Sequence, residues 1–181
     1  MQTTQDQSSQ FEKAPHTSLP LEIDRVFDAP VSLVFAAFKT SEAIKAWWWP
    51  NGLYADRVDF DFRENGRYFI NMKGAPRGGG GMTGHFEKII DNEQIVMTDK
   101  FADVNGNAIS AKQADMPGDW PDTIYITFDF ENLGENRSRF HLSQSGIPND
   151  QHKDCIQGWS ESFDKLENYL RGAAGGNQHL T

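Results

Sequence analysis

Hydrophobic and polar residues alternate along most of this chain, and the alternation predicts an antiparallel sheet. The pattern is clearest where Ile124, Ile126 and Phe128 point one way and the intervening polar residues point the other. Between positions 54 and 144 the alternation predicts about six strands, and residues 19–27 predict one more. The sequence therefore indicates a sheet of about seven strands with one apolar face.

Three stretches have the apolar spacing of helices instead. Residues 31–38 and 42–47 predict two short helices after the first strand. Residues 149–170 predict the longest helix, capped by Asn149 or Asp150 and ending near residue 171. Only this helix is long and apolar enough to cover the sheet, so the pattern predicts an α+β domain in which a curved antiparallel sheet wraps around the C-terminal helix.

The ends of the chain lack such patterns. Residues 1–18 are polar and predict a disordered leader, while the glycine-rich residues 172–181 predict a flexible tail. One domain over residues 19–171 is left between them. Inside it, the glycine run 78–81 and the stretch 102–121 predict loops, and a loop as long as the second is often functional.

Charge and composition exclude several classes of function. The chain has 17 Lys and Arg against 26 Asp and Glu, a net charge of −9, which argues against binding of nucleic acid. The lone Cys155 cannot form an internal disulfide, and no stretch has the length of a membrane span or the pattern of a signal peptide. We therefore expect a cytoplasmic protein without membrane insertion. His85, His141 and His152 lack metal-ligand spacing, so no metal or other cofactor is predicted.

One acidic residue falls on the apolar side of its predicted strand. Asp99 shares a face with Ile95, Met97 and Phe101 by strict alternation, although a buried carboxylate is costly unless it is paired. Either a bulge turns Asp99 outward or Asp99 is an acid in the interior. Arg67 is the partner that the second hypothesis favours. No Gly-x-Ser-x-Gly turn is present, and no catalytic set is predicted.

Short motifs in a fixed order carry a family resemblance: IDRVFDAP (23–30), WWWP (47–50), ENGRY (64–68), GHF (84–86) and the GWS that lies in the last helix (158–160). Over residues 19–171 the chain resembles domains similar to the activator of the heat-shock chaperone ATPase, of the SRPBCC superfamily, also called START-like or helix-grip. The resemblance implies a helix-grip fold with a hydrophobic cavity between the sheet and the last helix. Members bind lipids, sterols, polyketides or hormones, and a minority catalyse cyclisation or related reactions.

The predicted function is binding of a small hydrophobic or amphipathic ligand in that cavity. Two alternatives stay open: an enzyme acting on a small apolar substrate in the same cavity, with Asp99 or a histidine as acid or base, and a co-chaperone-like protein-interaction domain. A chaperone partner is not favoured for a single domain, and a homodimer is left open. The predicted ligand-binding residues face inward in the pattern: Trp48, Phe60, Tyr68, Met72, Phe86, Met97, Asp99, Phe101, Ile126, Phe128, Trp159 and Phe163.

Three consecutive tryptophans allow three interpretations. On a helix, Trp47, Trp48 and Trp49 point about 100° apart, so they cannot all enter one core. In the first, two pack under the sheet while the third caps the fold. In the second they form an aromatic wall for a ligand, and in the third they form a surface for a partner. The same question applies to the whole cavity, which is either open or filled by its own side chains.

Overall fold

The computed structural model describes residues 19–74 and 81–176, with the backbone alone for residues 174–176. The predicted leader 1–18, the glycines 78–80 and the end of the predicted tail, 177–181, lie outside the described residues. The described part contains seven strands, three α-helices and one 3-10 turn.

The seven strands form one antiparallel sheet. Strands β2 to β7 form a meander, β1 pairs with β7, and the order across the sheet is β1-β7-β6-β5-β4-β3-β2. The predicted alternation is confirmed in the sixth strand, where all four inward residues are buried. The strand bounds are β1 Leu21–Phe27, β2 Tyr54–Phe60, β3 Arg67–Lys73, β4 Gly81–Ile90, β5 Gln94–Ala102, β6 Ile124–Gly134 and β7 Arg137–Ser145.

The helices cover the concave side of the curled sheet. They are α1 Val31–Ala36, α2 Ser41–Trp47 and α3 His152–Gly176. In the apolar stripe of α3, Trp159, Phe163, Leu166 and Leu170 are buried, whereas Ile156 is 42% exposed. The Phe163 ring lies 5.0 Å from the Phe140 ring of β7. The predicted class is therefore confirmed: a curved antiparallel sheet wraps around a long C-terminal helix, and two short helices follow the first strand.

The predicted cap and the predicted end of the last helix are wrong. A 3-10 turn, Asn149–Gln151, precedes α3, and it begins after Pro148 with no side-chain cap; the ring of Pro148 sets the backbone angle that starts the turn. At the other end the helix continues to Gly176. Gly172 does not end the helix: it has helical backbone itself, as do the four residues after it.

Two other boundaries differ from the prediction. Helix α1 ends at Ala36 rather than near position 38, although Phe38 is buried after it. Strand β6 continues through residues 132–134, beyond the alternation of apolar and polar residues that ends at Phe130. The pairing with β7 is irregular there, between Asn132 and Gly134, and the extra length comes from that irregular segment.

Local irregularities set the register of two other strands. Strand β2 shifts register against β3 between Ala55 and Arg57, and β4 shifts against β5 between Phe86 and Lys88. A bulge of this kind bends the strand and increases its twist. These shifts contribute to the curvature of the β2–β5 half of the sheet.

The long connection after β5 folds back onto the outer face of the sheet. Ala102 and Ala108 form an isolated bridge, and the Ile109 N–H donates to the Phe101 carbonyl. At the tip, Gly106 has a φ of +85°, and a Cβ there would lie 3.1 Å from the Phe69 ring. The loop thus covers the outward-facing Phe69 of β3.

Gly84 lies where two strands approach too closely for a side chain. A Cβ at this position would lie 2.0 Å from the Thr98 carbonyl oxygen of β5. We expect Gly84→Ala to lower the free energy of unfolding by about 2 kcal/mol, because the strands must separate to fit the methyl group. Urea denaturation of the purified variant measures the change.

The matched control is Gly172→Ala in the exposed part of α3, where no atom lies within 4 Å of the added Cβ. This change should raise the free energy of unfolding by up to about 1 kcal/mol, because alanine has the higher helix propensity. Equal stability of the Gly84→Ala variant and the wild type would contradict the close approach of β4 and β5.

Candidate functional site

A row of residues on the concave face brings Asp99 next to Tyr68. Tyr68 of β3 is opposite Gly84 of β4, and the pairing of Thr83 with Lys100 places Gly84 beside Asp99 of β5. Side chains that are directly opposite in an antiparallel pair point to the same face. Because Gly84 has no side chain, Tyr68 reaches across β4 to the carboxyl group of Asp99.

The hypothesis of an inward-facing acid is confirmed. The register between β5 and β6 is unbroken from Gln94 to Asp99, so no bulge turns the carboxyl group outward, and Asp99 is only 2% exposed. The proposed partner is wrong: Arg67 is exposed on the outer face. Alternation along β3 puts Tyr68, one residue later, on the inner face instead.

Two hydrogen bonds define this pair. The Tyr68 hydroxyl oxygen lies 2.9 Å from Asp99 Oδ1 and 2.9 Å from the carbonyl oxygen of Thr98. A phenol has one proton and therefore cannot donate a full bond to both acceptors. Tyr68 therefore shares its proton between Asp99 Oδ1 and the Thr98 carbonyl oxygen, and the carboxylate receives only part of a hydrogen bond from the phenol.

The electrostatics bring the Asp99 carboxyl group close to the midpoint of its titration at neutral pH. Burial raises the pKa of Asp99 to about 7, while the hydrogen bonds from Tyr68 and from the Lys100 backbone lower that pKa. Burial and the neighbouring charge of Asp99 raise the pKa of Tyr68 well above its ordinary value. Near neutral pH the Asp99 carboxyl group therefore gains and loses its proton, while the Tyr68 phenol stays neutral.

The pair borders a partly open apolar surface. On one side the Tyr68 ring contacts Phe60 and Phe86, with centroids 5.6 and 5.9 Å away. On the other side the next row of the concave face holds Met82 opposite Phe101. Both of these side chains are half-buried, as is Met72.

The other predicted ligand-binding residues pack against one another. The Trp48 ring lies 5.2 Å from that of Trp159 and 5.6 Å from that of Phe128, and Trp159 stacks on Phe163 at 5.5 Å. Trp159 Nε1 also donates to Gln144 Oε1 at 2.7 Å. Around these rings the space between sheet and helix is filled by the protein's own side chains.

The three tryptophans follow the first interpretation. Trp47 and Trp48 are buried at 0% and 4% exposure, while Trp49 is half-buried. Trp47 Nε1 donates to the Ala37 carbonyl at 2.9 Å, which ties α2 to the end of α1. Two rings therefore belong to the core and the third lies at its edge.

The predicted residues thus divide between two environments on the concave face. The first environment, on β2–β5, consists of the polar pair and its neighbours: Tyr68, Asp99, Phe60, Met72, Phe86 and Phe101. The second is the filled aromatic core, which contains Trp48, Phe128, Trp159 and Phe163. Met97 of β5 is also buried, and it is opposite Ile126 of β6. Contact with a ligand stays a prediction for all of them.

The histidines and the lone cysteine lie outside this pair. His85 faces outward, with Nδ1 3.0 Å from Thr98 Oγ1 and Nε2 3.0 Å from Glu87. His141 pairs with Asp24 at 3.1 Å, and burial raises the pKa of Cys155 to about 11. Over the described ranges no three His, Cys, Asp or Glu side chains cluster as metal ligands do.

None of the helices that the structure describes is both long and apolar enough to cross a membrane.

Comparison with known proteins assigns the fold to a family. The family model described as "Activator of Hsp90 ATPase homolog 1-like protein" matches residues 28–171. No curated protein matches the chain significantly.

Solved structures share the fold at low sequence identity. Protein CV1439 from Chromobacterium violaceum is 24% identical with a TM-score of 0.69, over 83% of this chain and 96% of that one. The AHSA1 protein SPO3351 from Silicibacter pomeroyi is 21% identical with a TM-score of 0.67, over 84% and 97%. A protein from Arthrobacter aurescens, solved by NMR, is 21% identical with a TM-score of 0.70, over 85% and 87%.

Ionisation of Asp99 should make the protein less stable as the pH rises. The pKa of its carboxyl group is about 7 in the folded protein against an ordinary 3.8, so the folded state binds the proton more tightly. Between these two pH values the native state should lose roughly 4 kcal/mol relative to a protein that has a neutral side chain at this position. Above pH 7 the loss is complete.

Urea denaturation of the wild type and of Asp99→Asn between pH 4 and 8 measures this effect. The difference in unfolding free energy between them should change in favour of the variant as the pH rises and then level off. Carboxylates with lowered pKa values, such as Asp56 and Asp103, affect both proteins equally. Parallel pH curves would show that Asp99 titrates normally.

Removal of the Tyr68 hydroxyl should raise the pKa of Asp99 above 7, because that hydroxyl stabilises the carboxylate. The carboxyl 13C chemical shift of Asp99, followed against pH in Tyr68→Phe, measures the change. Tyr125→Phe is the control, since Tyr125 is 51% exposed and faces outward on β6. An unchanged or lower Asp99 pKa in Tyr68→Phe would disprove the pairing.

Proposed function

Because this chain belongs to the family of Activator of Hsp90 ATPase homolog 1-like proteins, we propose that it binds a small hydrophobic or amphipathic molecule on the concave face of its sheet. The binding region is the end of that face where Tyr68 and Asp99 meet the half-buried side chains of Met72, Met82 and Phe101. The fold is compatible with such a role, since the concave face lies between the sheet and the C-terminal helix.

The buried carboxyl group of Asp99 is the observation that supports this proposal most. In the described part of the chain no Lys, Arg or His forms an ion pair with it, and its burial is costly. An apolar side chain would pack there without that penalty. A strongly shifted acid at the edge of an apolar surface is a typical feature of functional sites.

The chemistry of the region defines the ligand class. Met72, Met82 and Phe101 offer an apolar surface, and flexible methionine side chains adapt to ligands of different shape. Asp99 and Tyr68 offer one polar position beside it. An amphipathic ligand with a hydroxyl or amine end satisfies both, because its polar end can hydrogen-bond to the carboxyl group while its apolar part is buried against the methionines.

A second candidate function is catalysis at the same position. It is favoured by the pKa of about 7 at Asp99, which is suited to transfer of a proton at neutral pH. The two functions differ in the effect of Asp99→Asn on a substrate. An enzyme would lose turnover and keep binding, whereas a binding protein would show no turnover in either form.

Decanol, a small alcohol with an apolar chain, tests the binding proposal directly. Native mass spectrometry of the purified protein with decanol should show saturable 1:1 binding, along with any apolar molecule that co-purifies. Met82→Ala should weaken decanol binding by about tenfold, since it removes roughly 1–2 kcal/mol of apolar contact. Asp99→Asn should also weaken it, through loss of the hydrogen bond to the alcohol.

The matched control for Asp99→Asn is Asp129→Asn. Asp129 lies on the outward face of β6 and accepts from Gln94 Nε2 at 2.7 Å, a bond that asparagine can keep. This variant should bind decanol as the wild type does. A protein that neither carries an adduct nor binds decanol saturably would contradict the proposal, and so would equal weakening by both Asp variants.

A further inference from the structure

A second concavity lies on the outer face of the sheet, on the side opposite the proposed ligand region, and Tyr68 contributes to both. It has a volume of about 210 Å³, and its walls include Arg57, Asp59, Arg67, Phe69, Thr83 and Asn105. Asp59 pairs with Phe69 across β2 and β3, and Phe69 pairs with Thr83 across β3 and β4. The floor of this outer groove is therefore one continuous cross-strand row.

The fold holds the walls of the outer groove in place. The Arg57 guanidinium lies 5.4 Å from the centre of the Phe69 ring, and Gly106 closes on the same ring from the loop. Asp103 holds this loop, because its Oδ1 accepts the backbone N–H groups of Asn105 and Asn107, both at 2.9 Å. The groove thus has strands on one side and a hydrogen-bonded loop on the other.

The charge of the outer groove is opposite to that of the molecule. The chain has a net charge of −9, yet two guanidinium groups line this groove against one carboxylate. Arg57 pairs with Asp59 at 2.6 Å. In the part of the chain that the structure describes, the Arg67 side chain has neither a hydrogen bond nor an ion pair.

Two further groups add to this character. Lys100 of β5 is opposite Thr83, which places its side chain on the same outer face, although it does not line the groove itself. The Asn105 side-chain amide lies in the opposite wall, and no described residue hydrogen-bonds to it. A positive surface with unused N–H donors is suited to an anion that has several acceptor atoms.

We infer that the outer groove binds a small oxyanion, a carboxylate or phosphate group, with Arg67 as its main ligand. A guanidinium donates two parallel N–H bonds to such a group, and the bonds are strengthened by charge. Arg57 supplies a second positive charge over Phe69, and Asn105 donates from the loop. Asp59 compensates Arg57, so one positive charge, that of Arg67, stays uncompensated among the residues that line the groove.

Titration of 15N-labelled protein with sodium phosphate, and separately with sodium acetate, tests this inference at constant ionic strength. We expect saturable amide shifts confined to Phe69, Thr83, Asn105 and Gly106 with at least one of the two probes. The probe that binds more tightly identifies the group as phosphate or carboxylate. Arg67→Gln should weaken the binding by about tenfold, because it removes a charge-assisted pair.

Arg137→Gln is the matched control, since Arg137 is exposed at the start of β7, far across the sheet order from β2 and β3. It removes the same charge and should leave the affinity unchanged. Linear shifts without saturation for both probes would overturn the inference. So would equal weakening by Arg67→Gln and Arg137→Gln, because only the overall charge would then matter.

Discussion

A single helix cannot cover a seven-stranded sheet, and much of this structure follows from that constraint. Seven strands span about 30 Å across the sheet, whereas a helix with its side chains is about 10 Å wide. The sheet curls, and the rings of Trp47, Trp48 and Trp159 fill the space beside α3. Strands β3 to β5 lie at the margin of the area that α3 and these rings cover. The half-buried methionines and the Tyr68–Asp99 pair are found there because the aromatic core ends before it reaches them.

The Asp99 carboxyl group shows how a local cost is tolerated within such a core. Its charged form is destabilised by burial, and only a phenol and one backbone N–H oppose that effect. The native state lowers this cost by keeping the Asp99 carboxyl group protonated up to nearly neutral pH, rather than by placing a cation beside it. A group that is poised between two protonation states in this way responds to a molecule that arrives beside it, whereas a paired carboxylate would not.

Strand and helix patterns were predictable because they repeat over many residues. Alternation alone located all seven strands and placed Asp99 on the inner face. The partner of Asp99 was not predictable in the same way, since it depends on the register of three strands and on the missing side chain of Gly84. Arg67 was chosen on charge, yet it lies one residue from the correct position and so on the opposite face. The outer groove also escaped prediction, because a loop residue, Gly106, meets Phe69 across a long chain separation.

The free edges of the sheet bear on how this molecule behaves among its copies. Strand β2 ends the sheet on one side, and unpaired backbone groups at such an edge are a template for pairing with another chain. Here the exposed Asp56, Arg57 and Asp59 and the register shift after Ala55 lie on that edge. Charges and bulges at an edge strand oppose intermolecular pairing. The same irregularity that helps to curve the sheet therefore also protects the protein against edge-to-edge aggregation.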